Sequence, residues 1–176
     1  MKRGFTLIEM MVSVSIFLVI MTVSMGALLG VYAANKKFEA LKTVMDNLNL
    51  SVESMSREMR FGKNYHCGLS GTLTLTQNCP SGDTAVAFLA EDGVTHIVYK
   101  LNGTEIDKST DGGNTYVPVT APEIQIDSLA FYVTGATFGD SFQPKVLIKI
   151  QGHSGTSTAA TSFTIQTLVS QRALDH

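Results

Sequence analysis

The chain has 176 residues, a formal net charge of −2 and only two cysteines. This charge balance does not indicate a nucleic-acid binder by bulk electrostatics, and we predict no specific nucleic-acid partner. The part that follows Phe61 is long enough for one small globular domain. Residue types divide the chain near the same point, because all eight methionines lie at or before Met59 and all four prolines lie after Phe61.

The first predicted element is an apolar helix close to the N-terminus. Two cations, Lys2 and Arg3, precede residues 5–35, in which Glu9 is the only charged residue. A bilayer core needs about 20 apolar residues in a helix, so residues 5–35 can span a membrane. The basic end should stay in the cytoplasm. We therefore expect a single-pass membrane protein with an extracytoplasmic head.

Glu9 interrupts this helix with a charge. A carboxylate in a membrane helix costs roughly 2.5–3.5 kcal/mol on insertion scales, and such residues usually mark a function. Together with the residues before it, Glu9 forms the run Gly4-Phe5-Thr6-Leu7-Ile8-Glu9. The basic start, the Gly-Phe pair, the glutamate spacing and the apolar run resemble the processing sequence of type IV pilins and type II secretion pseudopilins.

This resemblance implies roles for three residues. In the family a prepilin peptidase cuts after the glycine and methylates the new terminal residue, which implies a cut between Gly4 and Phe5 and an N-methylated Phe5. The glutamate helps to dock the subunit into a filament, a role that falls on Glu9. The implied partners are other pilin or pseudopilin subunits, prepilin peptidase, the inner-membrane assembly platform and the lipid bilayer.

Two other interpretations of the N-terminal segment stay open. A secretory signal peptide also has a basic start and an apolar core, and Val31-Tyr32-Ala33 could serve as its cleavage site. The core of a signal peptide is about 7–15 residues long, however, and the run here is longer and contains a glutamate near its start. An ordinary signal anchor explains the apolar run but neither Gly4-Phe5 nor Glu9.

Residues 36–61 are predicted to continue as an amphipathic helix that stops at Gly62. Apolar side chains recur at alternating spacings of three and four residues and form one narrow stripe. The stripe consists of Phe38, Leu41, Met45, Leu48, Val52, Met55 and Met59. Such a stripe either packs on a sheet or forms a coiled-coil seam, and we favour packing on a sheet.

The region after Phe61 predicts strands, because threonine-rich alternating segments are bounded by turn residues. Asn102-Gly103 is the strongest hairpin signal, expected at the centre of a type I′ turn. Asn78–Asp83 is predicted as a turn, and His153–Ala160 as a mobile loop. The predicted strands are Leu69–Thr76, Ala85–Ala90, Val94–Leu101, Thr104–Lys108, Tyr116–Val119 (an edge strand because of Pro118), Ile124–Thr134, Lys145–Gln151 and Ser162–Gln171.

The whole chain therefore predicts an α+β fold of the pilin type, a long N-terminal helix packed on a mainly antiparallel sheet. The segment Ser51–Arg60, followed by a cysteine, and the closing strand resemble minor pilins and minor pseudopilins more than major ones. We divide the chain into a leader (1–4), a transmembrane and assembly half of the helix (5–35), an amphipathic half of the helix (36–61) and a β-rich head (62–176).

Cys67 and Cys79 lie in the part that is expected outside the membrane. In an oxidising compartment a local disulfide is the economical interpretation, and it would stabilise the fold by about 3 kcal/mol in the chain-entropy model. Free thiols are the main alternative. A zinc site is disfavoured because two thiols without clustered partners are an incomplete ligand set.

The head shows no catalytic constellation in its sequence. Its histidines are scattered without an acidic partner at a familiar metal spacing, and there is no nucleophile elbow or phosphate-binding loop. Asp107–Asn114 is the segment nearest to a calcium loop, although aspartate, glycine and asparagine occur in any polar turn. We therefore predict no enzymatic activity, no metal site and no cofactor. The histidines are His66, His96, His153 and His176.

These observations predict a structural, minor subunit of a type IV pilus-like filament. One alternative is a minor pseudopilin of a type II secretion system. Another is a membrane-anchored extracytoplasmic binding domain that does not assemble. An assembled subunit would lie in an extracellular or periplasmic filament.

Overall fold

The computed structural model describes residues 4–137, 139, 142–154 and 161–172, apart from the side chains of residues 40 and 43. Most of the predicted leader lies outside the described residues. Helix α1 spans Leu7–Phe61. The chain divides into two compact units, Met1–Lys42 and Thr43–His176, and α1 contributes to both. The predicted four-part division of the chain stays a prediction.

The first unit contains the apolar part of α1. From Leu7 to Tyr32 every side chain is exposed, the large apolar ones included. Within the described part of the chain, α1 is the one helix long and apolar enough to cross a membrane. A continuous exposed apolar surface is expected to meet lipid or another protein.

The second unit combines the end of α1 with nine strands in its described residues. They form a five-stranded sheet A, in the order β1-β3-β4-β5-β6, and a four-stranded sheet B, in the order β2-β7-β8-β9. All pairings between these strands are antiparallel, which confirms the predicted α+β fold. The strands are β1 (Lys63–Cys67), β2 (Cys79–Asp83), β3 (Ala85–Leu89), β4 (His96–Asn102), β5 (Glu105–Ser109), β6 (Val117–Pro118), β7 (Ile124–Thr134), β8 (Lys145–Ser154) and β9 (Thr161–Ser170).

The end of α1 buries its apolar stripe in the head. Leu48, Met55 and Met59 are fully buried, and they belong to one apolar cluster with residues of both sheets. Packing on the sheets, rather than a coiled-coil seam, is therefore confirmed for this part of the stripe. Phe38 is 68% exposed and lies in the first unit. The sheet residues of the cluster include Tyr65, Phe88, Tyr99, Ile106, Phe131, Ile148 and Phe163.

Gly62 ends α1 as predicted, and the reason is space. A Cβ on Gly62 would lie 2.5 Å from Cδ2 of Phe88. The φ angle of Gly62 is not among the positive ones, so a left-handed cap does not explain this glycine. The chain turns directly from α1 into β1 here, and any side chain would collide with the core.

The β4–β5 hairpin is confirmed, with its turn one residue later than predicted. Asn102 pairs with Glu105, so Gly103 and Thr104 are the two central residues. Gly103 has a φ of 61°, whereas Thr104 is not among the residues with positive φ. A positive φ at the first central residue alone fits a type II′ turn, which prefers glycine there.

Residues 68–78 form a loop, so the strand predicted at Leu69–Thr76 is wrong. Gly68 and Gly71 take positive φ angles of 83° and 91°, which bend the chain away from an extended path. The buried ring of His66 holds the loop, since its Nδ1 lies 2.7 Å from the Leu75 carbonyl oxygen and its Nε2 lies 2.9 Å from the Ser70 carbonyl oxygen.

Two short strands next to this loop were not predicted from the sequence. They are β1 and β2, and β2 lies within the segment predicted as the turn Asn78–Asp83. The predicted edge position of β6 is confirmed. Strand β8 continues beyond its predicted end to Ser154, so His153 is part of a strand. The rest of the predicted mobile loop, residues 155–160, lies outside the described residues.

Candidate processing and assembly site

The start of α1 is a reciprocal cap formed by Thr6 and Glu9. The Thr6 amide and the Thr6 hydroxyl both donate to Glu9 Oε2, at 3.3 Å and 3.2 Å. The Glu9 amide donates in return to Thr6 Oγ1 at 3.4 Å. This is the capping-box arrangement, in which a threonine before the helix and a glutamate three residues later satisfy free backbone donors of the first turn.

From the sequence, Glu9 was expected to dock the subunit into a filament, and its part in the cap was not predicted. The signal was present, because Thr6-Leu7-Ile8-Glu9 has the threonine-to-glutamate spacing of a capping box directly before an apolar run. A carboxylate at this end of a helix also interacts favourably with the helix dipole. Glu9 therefore has a structural role within its own chain.

The cap uses only one of the two carboxylate oxygens of Glu9. Among the described residues, no donor lies within hydrogen-bonding distance of Oε1, and the side chain is exposed. One oxygen thus fixes the direction of the carboxylate, while the other can accept a bond from outside the chain. That arrangement suits a group that must recognise a cation at a defined position.

Gly4 and Phe5 lie before the first turn of α1, outside any helix or strand. Both are exposed, and Phe5 is 84% exposed. The peptide bond between them is therefore accessible, as a protease site needs to be. Cleavage at this bond, methylation of Phe5 and docking through Glu9 stay predictions.

In the head, Cys67 and Cys79 form a disulfide. Cys67 is the last residue of β1 and Cys79 the first residue of β2. The bridge closes the base of the 68–78 loop, which has no strand of its own. The bridge therefore has a structural role, and because both cysteines are in it, neither is a free thiol.

The Asp107–Asn114 segment, which is the nearest in sequence to a calcium loop, is organised by its own hydrogen bonds. Asp111 Oδ1 accepts bonds from the Ser109 hydroxyl and from the amides of Asn114 and Thr115, and Oδ2 accepts one from the Thr115 hydroxyl. These bonds, with that of Ser109 the largest effect, hold the pKa of Asp111 well below its usual value. The carboxylate of Asp107 accepts from Asn102 instead. The loop therefore has the bonding of a polar turn.

No group of three or more metal-ligating side chains converges in the part of the chain that the structure describes. His66 is buried against backbone carbonyl groups, and His153 Nδ1 lies 3.0 Å from Asp127 Oδ2 on the surface. His96 starts β4. His176 lies outside the described residues.

A surface cavity of about 620 Å³ lies beside the last turn of α1, lined by Arg57, Glu58, Phe61, Ala90, Glu91, Asp92 and Ile97. Three of its charged side chains already have partners. Arg57 pairs with Glu53, and Glu58 binds Lys108 and Tyr99. Asp92 accepts three hydrogen bonds from the next turn. Because these charged side chains are already bonded to residues of the chain, they are not free to bind a ligand in the cavity.

Comparison with known proteins bears on the N-terminal segment. A family model described as the prokaryotic N-terminal methylation motif matches residues 1–25. No curated protein and no solved structure matches the chain. The matched residues include Gly4, Phe5, Glu9 and the first turns of the exposed apolar helix. The chain therefore carries the prokaryotic N-terminal methylation motif, which is the signature of the type IV pilins and pseudopilins.

Proposed function

We propose that the chain is a structural, minor subunit of a type IV pilus-like filament and has no enzymatic activity. The observation that carries this proposal is the methylation motif, followed by an apolar helix with exposed side chains. The motif itself implies processing by prepilin peptidase and assembly with other pilin subunits. The inner-membrane assembly platform would be a further partner, and the bilayer would hold the subunit before assembly.

Docking would centre on the charge of Glu9. A carboxylate buried without a partner among apolar helices costs several kcal/mol. After cleavage, the ammonium group of Phe5 in a neighbouring subunit could approach Oε1 and offset this cost. Such a pair would also set the axial position of one subunit relative to the next. The capping box supports this role, because it orients the carboxylate and leaves Oε1 available.

The test separates the charge of Glu9 from its capping role. Glu9→Gln keeps an oxygen acceptor for Thr6 but removes the charge, whereas Glu9→Ala removes both. Thr6→Ser keeps the cap and Thr6→Val removes the hydroxyl. Processing is read from the size of the product, and incorporation from its amount in sheared filaments. We expect all four variants to be cut, and both Glu9 variants to be lost from filaments.

Normal incorporation of Glu9→Ala would refute the docking role. A Glu9→Gln chain that assembles like the wild type, together with a Thr6→Val chain that does not, would show that the cap and not the charge matters. Loss of a cap costs about 0.5–2 kcal/mol, so we expect Thr6→Val to be incorporated less than Thr6→Ser but more than either Glu9 variant.

Processing has a separate test at the cleavage site. Gly4→Ser should leave the precursor uncut, and a product of mature size from this variant would contradict the predicted site. Mass spectrometry of the native N-terminus should find N-methylphenylalanine at Phe5. An intact Met1 would support a signal anchor instead, and a start at Ala34 would support a secretory signal peptide.

A minor pseudopilin of a type II secretion system is the second candidate, because the same motif occurs in both systems. The genes that neighbour this one distinguish the two. Retraction and pilus genes favour the pilus, whereas a secretin with secretion components favours the pseudopilus. A membrane-anchored binding domain that never assembles would carry an unmethylated N-terminus.

A further inference from the structure

The two sheets have four edge strands, and in two of them, β6 and β2, the sequence itself discourages pairing with another chain. An exposed edge presents unpaired backbone groups to other chains, and natural proteins block it with short strands, proline, charge or bulges. Strand β6 has only two residues, and one is Pro118. Strand β2 contains Pro80 and ends at Asp83, and its pairing with β7 shifts register between Cys79 and Asp83.

The third edge, β1, is partly covered by the neighbouring loop. Gln77 forms an isolated bridge with His66 and exchanges backbone hydrogen bonds with Tyr65 and Cys67. The start of β1 carries Lys63, and its register with β3 shifts between Lys63 and His66. Positive charge and irregular pairing both discourage the addition of another strand.

Strand β9 has none of these protections. It is ten residues long and contains no charge, no proline and no glycine. Its pairing with β8 runs without a register shift from Thr161 opposite Ser154 to Ser170 opposite Lys145. No strand of the described residues pairs with its outer edge. Alternate residues of β9 therefore direct backbone N–H and C=O groups outward.

The side chains of β9 define what could pair with it. Phe163 and Val169 are buried on the core side, while Thr164, Gln166 and Leu168 are exposed on the other face. An extended polypeptide is the partner that can pair with such a row of alternating backbone donors and acceptors along its length, as in strand addition. A complementary strand would be uncharged, with apolar residues on the core side and small or polar residues on the outer face.

We propose that the outer edge of β9 is a subunit interface, on which an uncharged extended strand of a neighbouring filament subunit adds to sheet B. The inference rests on the proposed function and names a second contact, in the head, besides the helix. Its support is the contrast between one regular, uncharged ten-residue edge and three edges that are blocked or covered. Left uncovered, such a strand would be prone to aggregation.

The experiment compares two lysine substitutions in the full chain, produced in its native cells. Thr164→Lys places a charge on the exposed edge strand. Gln151→Lys places the same charge on the directly opposite residue of β8, which is an interior strand. Filament incorporation is measured by immunoblot of the sheared fraction. Hydrogen exchange of β9 amides is measured in filaments and in the detergent-solubilised subunit.

We expect Thr164→Lys to lower incorporation at least about tenfold, which corresponds to about 1.4 kcal/mol. Gln151→Lys should assemble like the wild type. The outward amides of β9 should exchange fast in detergent and slowly in wild-type filaments. Unchanged β8 exchange in the detergent-solubilised variant shows that Thr164→Lys still folds.

Equal incorporation of Thr164→Lys and wild type, or β9 amides that exchange equally fast in both states, would overturn the inference and leave the proposed function intact. An equal loss in Gln151→Lys would overturn it as well, since the face of sheet B and not its edge would be the interface. A wild-type chain that is never found in filaments would refute the proposed function and this inference with it.

Discussion

Glu58→Ala removes a carboxylate that joins α1 to two strands of sheet A. Glu58 Oε1 lies 2.5 Å from Lys108 Nζ, and Oε2 accepts a hydrogen bond from the Tyr99 hydroxyl at 2.7 Å. The Glu58 and Lys108 side chains are 28% and 22% exposed, and Tyr99 is 2% exposed. The group is therefore shielded from solvent, and its loss should lower the stability of the head.

The size of the effect follows from what alanine leaves behind. A hydrogen bond to a charged group contributes about 1.5–3 kcal/mol, and a buried donor without an acceptor costs about 1–3 kcal/mol. We therefore expect Glu58→Ala to lower the free energy of unfolding by about 2–4 kcal/mol. Glu58→Gln keeps an acceptor for Tyr99 and should cost about 1 kcal/mol.

Glu53→Ala is the matched control on the same helix. Glu53 pairs with Arg57 at 3.4 Å, but these side chains are 69% and 72% exposed, so the substitution should cost at most about 0.5 kcal/mol. Urea unfolding of the full chain in detergent, followed by near-ultraviolet circular dichroism, gives the midpoint of each variant. Equal midpoints for Glu58→Ala and Glu53→Ala would refute this account of how α1 is held.

Burial, followed by the hydrogen bond and the charge of Glu58, raises the pKa of Tyr99. Because the folded state keeps this proton to a higher pH than the unfolded chain does, the contribution of Tyr99 to stability is fully present below about pH 10 and is lost as the pH rises further. Tyr99→Phe should flatten this fall in urea titrations, and an unchanged slope would contradict it. Replacing Cys67 and Cys79 with serine should lower the free energy of unfolding by about 3 kcal/mol, measured as a lower urea midpoint. A wild-type midpoint that does not change when reductant is added would contradict a stabilising disulfide. Leu48→Ala should lower the free energy of unfolding by about 2–5 kcal/mol, whereas Leu50→Ala, at an exposed position, should change it by at most about 0.5 kcal/mol. Equal thermal midpoints for the two variants would contradict the burial of Leu48.

Features that depend on the spacing of nearby residues could be predicted from the sequence. The stripe ending at Met59 repeats at helical intervals, so periodicity predicted the burial of its second half, Leu48 to Met59, although Phe38 at its start is exposed. The capping box is equally local and could have been found, because it needs only Thr6 and Glu9 at the right separation. The β4–β5 hairpin was predictable to within one residue, since Gly103 can occupy either of two turn positions.

Features that depend on distant contacts could not be predicted. Leu73 and Leu75 alternate as in a strand, yet they lie in a loop that the Cys67–Cys79 bridge closes and the ring of His66 holds. The bridge itself was predicted, but the contacts of His66 and their effect on this segment were not. The division of the strands into two sheets depends on which strands pair with each other, and short-range alternation does not contain that information. The type of filament is not encoded in the matched motif either.

The Cys67–Cys79 bridge also determines how the head tolerates proteolysis. Cys67 ends a strand of sheet A and Cys79 begins a strand of sheet B, and most side chains of the loop between them are exposed. Exposed loops are where proteases cut first. A cut within residues 68–78 would leave both parts of the chain in one covalent molecule. Such damage would be invisible on a non-reducing gel, and a nicked subunit could keep both sheets and the core that they share with α1.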